Sequence, residues 1–172
     1  MDQNTLDEKR QRRSELNKQN AERRKAVEDA MVAQYPPAPG AVGKEVQFFH
    51  DRFYGRTYAV VAPDGDTLRA AAMRLLGGGK EVVVNVMLGV SSLNVEENDQ
   101  YNKRIGRAVA SSKLSTVSMK LVSVNLYENI SHFSVELDGL RLDFSIQKNP
   151  NVPYLGYVNK NGLKSVDERR KK

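Results

Sequence analysis

The stretch ISHFSVELDGLRLDFSIQ, residues 130–147, decides how this chain is read, because it carries both its own turn and its own pairing pattern. Asp138-Gly139 suits a two-residue type I′ turn, whose central positions both need positive φ, a conformation Asp and Gly tolerate. Closing a hairpin there sets Leu137 against Leu140, Val135 against Leu142 and Phe133 against Phe144, all on one face. The other face receives Glu136 opposite Arg141, Ser134 opposite Asp143 and His132 opposite Ser145. A register that sorts apolar from polar and sets an acid across from a base predicts an antiparallel hairpin, half buried, with a Glu136–Arg141 ion pair.

Upstream of the hairpin, LSTVSMKLVSVNL (114–126) alternates in one phase through Val117, Met119 and Leu121 and in the other through Val122, Val124 and Leu126, which predicts a bulge or twist near Leu121. EVVVNVMLGV (81–90) is apolar on both faces, as a strand at the sheet centre is. DGDTLRAAAMRLLGGG reads as a short helix capped by Asp66, with Leu68, Ala71, Ala72 and Leu75 on one face and the glycines as its stop. KEVQFFH and RTYAVVA have strand composition and flank a loop at DRFYG. The class that follows is α+β, an antiparallel or mixed sheet of five to six strands with two helices on one face, preceded by a long N-terminal helix.

That first helix is expected from a Thr5/Glu8 capping box to about Gln34, a rod of roughly 40 Å. Leu6, Leu16 and Ala21 are too sparse for a heptad seam, and only Val27, Ala30 and Met31 form an apolar patch. The expected organisation is a charged arm over 1–34, a Pro/Gly linker over 35–43, an α+β domain over 44–158 and a basic tail over 159–172.

The net charge of +6 suggests a nucleic-acid binder until it is divided along the chain. Residues 1–34 hold eight Lys/Arg against seven Asp/Glu, residues 35–159 thirteen against twelve, and residues 160–172 six against two. Phosphate affinity grows with the number of cations on one surface, and most of this excess sits in the tail. With no cysteine there is no disulfide frame and no thiolate chemistry. Neither a membrane-length apolar run nor a signal-peptide core is visible, so a cytoplasmic location without membrane contact is expected.

Catalytic and cofactor patterns fail on inspection. Gly77-Gly78-Gly79-Lys80 precedes Glu81 rather than Ser or Thr and follows a helix instead of opening one. Asp64-Gly65-Asp66 lacks the later oxygen ligands of a calcium loop. His50 and His132 are not spaced as ligands on one element, and Glu136, Asp138 and Asp143 would need a shared cleft to act as paired carboxylates. Phe48, Phe49, Phe53, Tyr54 and Tyr58, with Arg52 and Arg56 among them, match either a base-stacking face or core packing; the acids Glu45 and Asp51 favour packing. No cofactor, metal or catalytic residue is expected.

NVEENDQYNKRIGRAVASSKL (94–114) is the remaining candidate. Asn94 and Glu97 have capping-box spacing, Tyr101, Ile105, Ala108, Val109 and Ser112 make a buried stripe, and Lys103, Arg104 and Arg107 share a flank. That flank is the wet side of a helix on a sheet, a contact for an acidic protein partner or, with Lys113 and the tail residues Arg169, Arg170, Lys171 and Lys172, a phosphate-binding footprint. The segment DQYNKRIGRAVASSKL resembles a helix of small phage-encoded accessory proteins at Tyr101, Arg104, Ile105, Gly106 and Arg107. The resemblance implies a viral accessory or structural context and brings no activity with it.

The expected function is therefore a small non-enzymatic interaction or assembly protein. It would meet another protein or a second copy of itself through the N-terminal helix at Leu16, Val27 and Met31. Nucleic-acid binding by the basic flank and tail is the alternative.

Overall fold

The computed structural model describes residues 3–51, 54–93, 102–147 and 153–158. Helix α1 (Gln3–Ala33) leads through a short 3-10 turn (Pro39–Ala41) into strands β1 (Gln47–Asp51) and β2 (Arg56–Val61). Helix α2 (Gly65–Leu76), strand β3 (Val83–Ser92) and helix α3 (Lys103–Ser112) follow, and then β4 (Ser115–Leu126), β5 (Ile130–Leu137), β6 (Leu140–Gln147) and β7 (Pro153–Val158).

The α+β class expected of the sequence is the class observed. Each strand pairs antiparallel with the next, giving a seven-stranded sheet in the order β1 to β7. The seventh strand goes beyond the five to six expected; Pro153 sits at its first position, where a missing N–H is tolerated. The sheet curls until β1 and β7 approach within 8 Å between Cα atoms.

The concave face holds the main core. Tyr58, Val84, Val86, Met119, Leu121, Phe133, Val135, Leu142 and Phe144 pack there, and α2 covers them with Leu68, Ala71 and Ala72. A second cluster on the opposite face joins Ala59 and Val61 of β2 to Ala110 of α3 and to Leu114, Ala38 and Ala41. The two helices expected on one face thus lie on opposite faces. Side chains alternate along β2, so Val60 points to α2 while Ala59 and Val61 point to α3.

The hairpin register is the expected one in every pair from Leu137↔Leu140 to His132↔Ser145. Asp138 (φ 48°) and Gly139 (φ 80°) form the turn, and Phe133 and Phe144 are fully buried opposite each other. The ion pair differs: Arg141 turns from Glu136 to Asp143 (3.1 Å) and Ser134 (2.7 Å), which lie beside it on the same face. The β4 register shifts between Leu121 and Ser123, as the change of phase predicts. β3 is central, yet at its start only one face is covered: Val84 and Val86 are buried while Val83 is 57% exposed.

Helix α2 is capped by Asp64 rather than Asp66. The Asp64 carboxylate accepts from Thr67 N (2.8 Å) and Thr67 Oγ1 (2.7 Å), while Asp66 pairs with Arg69. Residues 35–43, read as a linker, are built into the fold: Ala38 and Ala41 are buried, and Ala38 N donates to Ser111 O.

Candidate interaction surface

Helix α3 is where the candidate residues meet. Asn102, in extended conformation, caps it by accepting from the backbone N–H groups of Arg104 (2.8 Å) and Ile105 (3.2 Å). The helix therefore starts at Lys103 and not at Asn94; the Asn94/Glu97 box and Tyr101 lie outside the described residues. Its buried side is made of small residues. Ala110 and Ser111 are buried, and a Cβ on Gly89 of β3 would collide with the Ala110 carbonyl oxygen. A Cβ on Gly106 would stand 2.6 Å from Thr57 Oγ1. Ile105, Ala108, Val109 and Ser112, expected as the buried stripe, are only half buried.

The three bases of the expected flank part company. Arg104 reaches α1 and pairs with Asp29 (2.5 Å) and Glu28 (3.8 Å). Arg107 turns over β1, donating from Nε to His50 Nε2 (3.1 Å) with its guanidinium 5.4 Å from the centre of the Phe48 ring. A guanidinium only donates, so His50 Nε2 carries the lone pair and Nδ1–H donates to Thr57 Oγ1 (3.0 Å). Lys103 and Lys113 are exposed. Arg169, Arg170, Lys171 and Lys172 lie outside the described residues.

The aromatics of the first two strands separate in the same way. Tyr58 is in the concave core with Phe49 and Tyr54 packed against it, and Phe48 belongs to the opposite cluster. They form no common stacking platform; Arg52 and Phe53 lie outside the described residues.

Helix α1 spans 31 residues, about 46 Å at 1.5 Å per residue. Among the described residues it meets the body through its last turns. Glu28 and Val32 are half buried, and Met31 and Tyr35 line a cavity of about 280 Å3 shared with Ile105, Val109 and Lys113 of the α3 region. From residue 8 to residue 27 every side chain is exposed, with Leu16 at 56% and Val27 at 61%. Of the arm residues picked from the sequence, Met31 faces the cavity while Leu16 and Val27 face solvent.

Glu28 and Asp29, which hold Arg104, carried no sequence signal, because their partner is distant in the chain. Among the described residues no group of His, Cys, Asp and Glu is arranged to hold a metal ion, and no helix is long and apolar enough to cross a membrane. No family model, no curated protein and no solved structure matches this chain, so its geometry alone carries the functional reading.

Proposed function

We propose that this is a non-enzymatic assembly protein whose curled-sheet domain holds α1 by its last turns and presents the rest of that helix to another protein. The supporting observation is the contrast along α1: Asp29 is tied to Arg104, whereas Leu16 and Val27 stand in solvent. A helix with so little cover gains its place from a partner, since most helical stability in proteins comes from packing of a face rather than from propensity. Capture of proteins from nuclease-treated lysate by the full chain tests this, compared with a Leu16→Asp, Val27→Asp variant. Specific capture lost in the variant supports the proposal; capture indifferent to both substitutions contradicts it.

Nucleic-acid binding through α3 is the weaker reading. Arg104 and Arg107 are engaged with Asp29 and His50, which leaves a poor phosphate footprint on that helix.

A further inference from the structure

At 100° per residue, Lys9, Arg12, Arg13, Arg23 and Arg24 fall with Leu16 and Val27 inside an arc of about 120° on α1. No acid among residues 8–33 enters that arc. Four of the five acids of residues 8–33 run along a separate line, Glu8, Glu15, Glu22 and Asp29, each seven positions after the last, and Glu28 lies off that line and also outside the arc. Every residue of the basic arc is exposed, and Leu16 and Val27 stand on nearly the same azimuth about three turns apart.

We infer that this basic face is the docking surface for an acidic amphipathic helix of another protein, which lays its apolar seam over Leu16 and Val27 and its carboxylates against the flanking bases. The inference rests on the reading of α1 as a presented arm and adds the chemistry of the partner. Charge complementarity selects that partner. A second copy set face to face would bring Arg12, Arg13, Arg23 and Arg24 against their own kind, which is repulsive. Pairing the acid line of one copy with the basic arc of another needs Asp29, which is already engaged with Arg104, and leaves Leu16 without an apolar neighbour. A nucleic-acid duplex would use the bases alone, and Leu16 and Val27 gain nothing from phosphate. An acidic helix uses the basic arc and covers Leu16 and Val27 at once, in the manner of oppositely charged flanks beside a coiled-coil seam.

Fluorescence anisotropy with the full chain in about 0.15 M salt tests this. The probe is a labelled peptide of about 28 residues with a leucine seam flanked by glutamates. The controls are the same peptide with lysine for glutamate, the same with glutamine for leucine, and a DNA duplex. The glutamate–leucine peptide is expected to bind, and Leu16→Asp, or Arg12→Glu with Arg23→Glu, to weaken it roughly tenfold or more. The lysine peptide should not bind, and the glutamine peptide should bind at least about tenfold more weakly. Those substitutions sit on exposed positions, and an unchanged melting temperature verifies that the fold is intact. Equal binding of the glutamate and lysine peptides through Leu16 would overturn the acidic partner and leave the presented arm standing. Binding of the duplex with no peptide bound would overturn both.

Discussion

Arg104 on α3 and Asp29 on α1 stand 2.5 Å apart, and this ion pair, with Glu28 at 3.8 Å, is the polar clasp between the arm and the body. Both side chains remain about half exposed, so solvent screens the pair. A double-mutant cycle on Asp29→Ala and Arg104→Ala should give a coupling of about 0.2 to 1 kcal/mol. The charge swap Asp29→Arg with Arg104→Asp should recover stability that either single reversal loses. Zero coupling would mean that the arm is held by the apolar contacts of Met31, Val32 and Tyr35 without help from the ion pair.

Gly89 lets α3 lie on the sheet. Gly89→Ala would drive its Cβ into the Ala110 carbonyl and leave it 3.0 Å from Leu114 N, both backbone atoms that cannot rotate away. A loss of roughly 1 to 3 kcal/mol in denaturant unfolding is expected, the range for overpacked cores. Gly106→Ala meets a side chain, Thr57 Oγ1, so its cost should shrink in a Thr57→Ala background. Equal costs in both backgrounds would contradict the close approach.

The hairpin turn requires positive φ at Gly139, where a β-branched residue is strongly disfavoured. Gly139→Val should therefore cost on the order of 1 to 2 kcal/mol. Unchanged thermal stability would show that the chain does not turn there.

Asp64 caps α2, and its hydrogen bonds from Thr67 hold its carboxyl below the usual carboxylate range. A folded-state value below the unfolded one stabilises the fold above the unfolded value, near about 3.9, and loses that contribution as pH falls through the folded value. Asp64→Ala should cost about 0.5 to 2 kcal/mol at neutral pH, toward the low end because the carboxylate is solvated. The gap between wild type and variant should close in acid. A gap that is constant with pH would remove the carboxylate from the cap.

Local rules explain why some of this was legible in the sequence. The hairpin register, the β4 bulge and the buried face of α2 follow from side-chain period and turn chemistry, which neighbouring residues determine. The face of α3 was misread because Gly106, Ala110 and Ser111 mark a contact by small size, whereas a hydrophobic stripe at Ile105 and Val109 draws the eye. The placement of α2 and α3 on opposite faces depends on how the sheet curls, a property of the whole sheet. β7 was missed because Pro153 and Gly156 dilute its strand composition. Arg104 looked like a surface base until Asp29, far back in the chain, was set beside it.

Hydrogen exchange along α1 tests the account most directly, measured on the full chain at a concentration where light scattering gives a monomer. An arm held at one end predicts amides of residues 8–24 exchanging as in an isolated solvated helix, and slow exchange beginning near Glu28 and continuing to Tyr35. Adding the glutamate–leucine peptide should slow residues 8–24 and leave the sheet unchanged. Protection of residues 8–24 equal to that of α3 in the free monomer would contradict a presented arm.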